Sequence, residues 1–223
     1  SVTARNRLWI CPMCMYSVFA GDGIATDWHL AHYGSRAVGG AGLIIVEATA
    51  VEPRGRITAQ DLGLWDDSQT PALARIARLM ADNGAVPAVQ LGHAGRKATV
   101  PGAIGPSPLA FSADYATPQA MTQGDIEQVI LAFQQAARRA RDAGFQAVEI
   151  HSAHGYLLHQ FMSPLSNQRD DAYGGGYDNR VRLHLDVVRA VRAVWPAGLP
   201  LLVRISATDW CEGGWDLEQS VEL

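Results

Sequence analysis

A chain of 223 residues, 48% hydrophobic and 18% charged, lies in the globular range and can bury the core of a sizeable domain, so disorder is not the expectation. With 18 Lys+Arg against 22 Asp+Glu the formal charge is -4, and the basic residues are dispersed apart from Arg138, Arg139 and Arg141, which argues against nucleic acid as a partner. No stretch approaches the ~20 apolar residues of a membrane span, the start SVTARNRLWI lacks a signal peptide's apolar region, and Cys11, Cys14 and Cys211 are too few for a disulfide framework; a soluble cytoplasmic protein with no membrane partner is expected.

In chain order, short apolar runs rich in branched residues alternate with amphipathic stretches. LWIC at 8 to 11 reads as a buried strand and DWHLAHYGSRAVGG as a helix. LIIVEAT at 43 to 49 is a strand, TPALARIARLMADNG a helix stopped at Asn83-Gly84, and AVPAVQL at 85 to 91 a third strand. The segment at 101 to 120, rich in Pro, Ala and Ser, reads as a long lid or binding loop. Then come a helix over MTQGDIEQVILAFQQAARRARDAG that carries the arginine trio on a solvated face, the strand AVEIH at 147 to 151, the helix DNRVRLHLDVVRAVRAVW, the strand LPLLVRIS at 199 to 206 and a sixth unit begun at GWDLEQSVEL.

Strand followed by helix without hairpin signals is the pattern of parallel β/α units. No G-x-G-x-x-G follows the first strand, which weakens a dinucleotide-binding sheet. Titratable residues close nearly every strand instead, where (β/α)₈ barrels keep their active sites. The fold class expected is therefore α/β, a TIM (β/α)₈ barrel of which five strands are present, the remainder absent or supplied by another chain.

Cys11-Pro12-Met13-Cys14 is a C-x-x-C, but no second close pair completes a zinc site and MYSVFAGDG does not open a helix as a redox pair requires; two small residues packed at a strand end is the simplest reading. His151 and His154, three apart at a strand end, can face one substrate oxygen or one metal. A metal-dependent barrel hydrolase would need Glu47, Glu149 or His93 as third ligand, and this alternative stands beside the others on spacing alone. Arg204 ends an apolar strand and needs an acid, with Glu149 the structural candidate, or an anionic ligand. Gln90 and Lys97, in VQLGHAGRKA, suit a planar polar ligand or loop backbone.

The segments CPMCMYS, GRITAQDLGLW, VQLGHAGRKA, EIHSAHGYLLHQFMSPLSNQR, YGGGYDNR and VRISATDW resemble, in order and spacing, the Old Yellow Enzyme family, and in particular its thermophilic-like branch, in which a cysteine replaces a threonine beside the flavin. The resemblance covers nearly the whole chain. It implies that 1 to 223 is the N-terminal portion of a single FMN-binding barrel domain, with FMN as cofactor and NADPH or NADH as hydride donor. Pro12, Met13, Cys14, Ala48, Gln90 and Arg204 would bind the flavin, Arg204 beside its N1 and O2 atoms. His151 and His154 would bind the carbonyl oxygen of an α,β-unsaturated aldehyde, ketone or imide, Tyr16 would line the same pocket, and Tyr156 would protonate the α carbon after hydride from flavin N5 reaches the β carbon. Cys11 stands where the family commonly has a serine, and GGGY at 174 to 177 where it has Gly-Gly-Ser. The resemblance also implies flavin-phosphate loops beyond residue 223, a homo-oligomer, and a complementing second chain if the barrel is to close; a non-catalytic fragment is the remaining alternative.

Overall fold

The computed structural model describes residues 1–223. Five parallel strands form one sheet in the order β1, β2, β3, β6, β7, where β1 is Trp9–Ile10, β2 Leu43–Ala50, β3 Val86–Gly92, β6 Ala147–Ser152 and β7 Leu201–Ile205. The helices α1 (Asp27–Val38), α2 (Thr70–Asp82), α3 (Gln123–Asp142) and α6 (Arg182–Val194) alternate with these strands, as the sequence pattern requires of right-handed β/α units.

The two faces of the sheet are read from alternate residues. Ile44, Val46, Val89, Leu91, Val148 and Ile150 belong to a 36-residue core shared with the helices, including the fully buried Phe133 of α3. Their strand neighbours Leu43, Ile45, Val86, Ala88 and Ala147 form a separate inner cluster, covered from the amino-terminal end by Val2 and Ala4. The sheet is thus an incomplete TIM barrel with an outer helix layer and an inner face. Both outermost strands are open: Trp9 on β1 is 49% exposed and Val203 on β7 is 40% exposed.

Local chemistry sets the helix limits. Pro71 occupies the first turn of α2, where its missing N–H costs nothing. Thr122 and Asp125 form a reciprocal capping box at the start of α3, with Asp125 N donating to Thr122 Oγ1 over 3.1 Å. Gly84 and Gly144, at φ +78° and +88°, turn the chain out of α2 and α3 as the Asn-Gly and Ala-Gly stops predict.

Two expectations are refined. The helix read as continuous from 178 to 195 is divided at Val181, leaving a short α5 (Tyr177–Arg180) before α6. The long stretch from 101 to 120 is closed at its ends by a small parallel pair, β4 (Ile104–Gly105) and β5 (Gln119–Ala120), which ties the loop down at its base. A further short helix α4 (Leu157–Met162), wholly buried, follows β6, and α7 (Leu217–Glu222) ends the chain.

Candidate active site

Parallel pairing in register places side chains of one row on the same face. His151 pairs with Arg204, and Glu149 with both Gln90 and Leu202. These residues alternate with the outward Val148 and Ile150, so Gln90, Glu149, His151 and Arg204 all face the inner side of the sheet near its carboxyl end. Beside His151, Gly92 keeps the inner wall low: a Cβ there would meet the Cβ atoms of His151 at 3.5 Å and Ala48 at 3.8 Å.

Within this row the acid chooses an amide rather than the guanidinium. Gln90 Nε2 donates to Glu149 Oε1 over 2.6 Å. Arg204, half-buried, forms no hydrogen bond and no ion pair in the chain, so the expected Arg204–Glu149 pairing is not made. Gln90 Oε1 likewise accepts nothing from the chain.

Around His151 three rings converge. Its centroid lies 4.9 Å from that of His154 and 5.1 Å from that of Tyr156, both edge-on. The Ala153 N–H donates to His151 Nδ1 over 3.2 Å, which leaves the proton of the neutral ring on Nε2. Burial, then the charges of His154 and Arg204, lowers the His151 pKa to about 3, and burial followed by Arg204 lowers that of His154. Both imidazoles are therefore neutral donors near pH 7. The Tyr156 phenol is raised, chiefly by burial, and stays protonated.

The turn that presents His154 is strained and braced. His154 and Tyr16 account for two of the three non-glycine residues at positive φ, +60° and +51°. Ser206 Oγ accepts the His154 N–H at 2.9 Å, and Lys97 Nζ donates to the His154 carbonyl at 3.0 Å while lying 4.9 Å over the Tyr156 ring. Gln160, from α4, ties this turn to the loop after β3 through Ala94 O and Gly155 O.

Across the groove, the strand in β2 shifts register between Val46 and Thr49, and the bulge aims Glu47 away from the inner face. Its carboxylate accepts from Met15 N at 2.9 Å and from the Tyr33 hydroxyl at 3.1 Å, and burial lifts its pKa to about 7. The loop held in this way carries Pro12, Met13, Cys14 and Tyr16, with Met13 and Tyr16 exposed. Burial first, then the charges of Asp61 and Glu47, pushes the Cys14 thiol up to about 12, so it is a protonated, uncharged group. Cys11 is exposed and all three cysteines are free.

The metal alternative fails on ligand geometry. Glu47 is spent on Met15 and Tyr33, Glu149 on Gln90, and His93 donates through Nε2 to Glu52 at 2.8 Å while its Nδ1 accepts from Gly95 N. No three His, Cys, Asp or Glu side chains come together as a metal site, which corrects the reading of a His-pair hydrolase. The arginine trio divides as a solvated face should: Arg138 and Arg141 are exposed and Arg139 pairs with Asp67 at 2.7 Å.

The sequence reading missed Asp61, Arg96, His159, Gln160 and Asp209. His159 Nε2 lies 2.9 Å from Asp209 Oδ1, and Asp209 also accepts from Ser163 Oγ at 2.6 Å and Trp215 N at 2.7 Å. All five lie inside the segments that carry the family resemblance, which is the one signal that could have found them; their partners come from fold-level contacts.

Residues 1–221 match the NADH:flavin oxidoreductase / NADH oxidase family. The chain is 52% identical over 221 residues to an NADPH dehydrogenase of Listeria innocua, covering 99% of this chain and 65% of the relative. Among solved structures, an old yellow enzyme homologue from Zymomonas mobilis superposes with a TM-score of 0.86 at 31% identity, over 99% of this chain and 64% of that one. Morphinone reductase in complex with tetrahydroNAD gives a TM-score of 0.88 at 30% identity, over 99% and 65% of the two chains. The chain therefore spans slightly less than two thirds of the length of these proteins.

Proposed function

Because this chain belongs to the NADH:flavin oxidoreductase / NADH oxidase family, we propose that residues 1–223 are the N-terminal portion of one FMN-binding barrel that reduces the activated C=C bond of enals, enones or imides at the expense of NADPH or NADH. The observation that carries the reading is the row on the inner face: a guanidinium without a partner, Arg204, in register with a neutral histidine donor, His151, beside His154 and Tyr156.

The residues fit a planar anionic ring. Arg204 offers an unspent positive charge in a half-buried position, where leaving it without a counter-charge is costly. Gln90 offers Oε1 as an acceptor two strands away on the same face, and Pro12, Met13, Cys14 and Ala48 would supply the facing edge. When bound, FMN supplies the two-electron relay that takes hydride from a reduced nicotinamide and passes it to the β carbon of the substrate.

The chain's own residues do the rest. His151 and His154 donate to the carbonyl oxygen and stabilise the charge that develops there as the β carbon gains hydride. Their low pKa values keep them as neutral donors rather than general acids. Tyr156 keeps its hydroxyl proton and gives it to the α carbon, so one nicotinamide hydride and one proton together saturate the double bond. Tyr16 lines the same opening, and Cys14, as an uncharged thiol, contacts the ring or substrate without contributing charge.

The test is to titrate the protein with FMN, follow flavin fluorescence, and then assay NADPH-dependent reduction of cyclohexenone or maleimide. Bound flavin and consumption of the enone are expected once the barrel is complete, whether as a longer chain or with a complementing polypeptide. A complete barrel that holds stoichiometric FMN yet leaves these substrates untouched would sink the ene-reductase reading.

A further inference from the structure

Beside His154 opens a hollow, a cavity of about 360 Å³ lined by Arg96, Lys97, His154, Ser206, Thr208 and Asp209 among others. Of its 13 lining residues only two, Phe111 and Leu165, are hydrophobic, so an apolar substrate body gains little there. The two cations are adjacent and neither has a carboxylate within ion-pair distance. Arg96 Nε is buried without any hydrogen-bond partner, and its guanidinium otherwise meets only the Leu109 carbonyl at 3.4 Å and the Phe111 ring at 5.7 Å. Lys97 Nζ is balanced by the His154 carbonyl and the faces of Phe111 and Tyr156.

One acid, Asp209, stands at the same wall, and its charge partly offsets the cost of burying Arg96. Asp209 Oδ2 accepts from Ser163 Oγ and Trp215 N, while Oδ1 lies 2.9 Å from His159 Nε2 and forms no ion pair with either cation. Two partly desolvated cations without an ion-pair partner in a polar hollow suit an anion with several acceptor oxygens. Burial lowers the pKa of both Arg96 and Lys97, with Arg96 adding to the effect on Lys97, and a bound anion would reverse that cost.

We propose that this cavity is a phosphoryl subsite, which takes the phosphate or pyrophosphate of an adenosine nucleotide whose reactive end passes His154 into the row containing Arg204. The nucleotide is either NADPH or an acyl coenzyme A substrate; both carry a pyrophosphate and a ribose phosphate. The choice of nucleotide rests on the function proposed above, whereas the anion site rests only on the cavity.

Binding of inorganic pyrophosphate to the purified protein, with and without FMN, is measured by calorimetry. The wild-type protein is expected to bind it, and Arg96→Gln is expected to weaken binding by about tenfold or more, the loss of a charge-assisted contact, with Arg96→Lys restoring part of it. Lys97→Gln provides the second variant should Arg96→Gln not fold as judged by circular dichroism. Adenosine 2′,5′-bisphosphate displacing pyrophosphate assigns the nicotinamide donor, and adenosine 3′,5′-bisphosphate displacing it assigns coenzyme A. Displacement by neither, absence of binding to folded wild-type protein at millimolar pyrophosphate, or unchanged affinity in folded variants overturns the proposal. Flavin retention is read separately, so failure here is distinct from failure of the ene-reductase reading.

Discussion

Gln90 Nε2 donates to Glu149 Oε1 at 2.6 Å across adjacent strands, so the acid two residues behind the His151–Arg204 register pair is bonded to an amide and forms no ion pair with Arg204. Arg204, one strand beyond Glu149 and two beyond Gln90, stands at its strand end without a partner in the chain. Arg204→Met should consequently lower FMN affinity by at least ~100-fold, of the order of two charge-assisted bonds. Since no intramolecular bond is lost, the flavin-free protein should melt within about 1 kcal/mol of wild type. Flavin fluorescence titration and thermal melts measure the two quantities, and a large melting loss with unchanged affinity would mean that Arg204 is structural.

Glu47 gives a pH prediction whose sign is fixed by its raised pKa of about 7. A carboxyl titrating higher in the folded than in the unfolded chain contributes stability that is full below the unfolded value of about 4.3 and is lost as pH rises to about 7. The stability of wild type relative to Glu47→Gln should therefore fall across that window, by on the order of 3 to 4 kcal/mol, and level off above it. Urea melts at successive pH values test this; a difference that rises with pH would show that the carboxylate is favoured in the fold.

His154→Ala removes a donor that no chain atom uses, since the imidazole makes no hydrogen bond within the protein. Enone kcat/KM should drop by ~10² or more, as for loss of one donor at a developing oxyanion. Flavin content should stay within twofold. Equal loss of both would remove His154 from the carbonyl-anchoring role.

Tyr156→Phe should leave NADPH oxidation by a non-carbonyl acceptor such as a quinone near wild type, while slowing enone saturation by ~10² to 10⁴, the span of a lost general acid. Rapid mixing separates the two half-reactions. Identical slowing of both would point to a packing role against His151 instead.

The three cysteines should differ sharply toward iodoacetamide at pH 7.5. Cys11 and Cys211 are exposed, whereas Cys14 is a half-buried thiol with its pKa pushed up to about 12. Mass spectrometry after brief alkylation is expected to find label on the first two and little on Cys14. Prompt labelling of Cys14 would contradict an uncharged thiol at the site.

The local pattern of the chain was enough for the elements and their order. Branched apolar runs such as LIIVEAT and AVEIH, with amphipathic stretches and Asn83-Gly84 or Ala143-Gly144 stops between them, place every long helix and strand within a few residues. Periods of 2 and 3.6 are properties of neighbouring residues, so a sequence displays them directly. Motifs at strand ends, HSAHGY above all, likewise located one end of the site, because His151, His154 and Tyr156 are brought together by a single turn.

What only the tertiary structure decided is who pairs with whom. The sequence leaves Glu149 able to meet Arg204 or a metal, and leaves His93 free to join the histidine pair. Strand register gives Glu149 to Gln90, and the loop from 53 to 55 gives His93 to Glu52, whose carboxylate also binds Arg54. The same holds for Arg96 beside its cavity and for Asp209 under His159, which are drawn together from elements distant in the chain. Partner choice depends on angstrom-scale register and on which loop covers which strand end, and neither is written in the spacing of residues along one element.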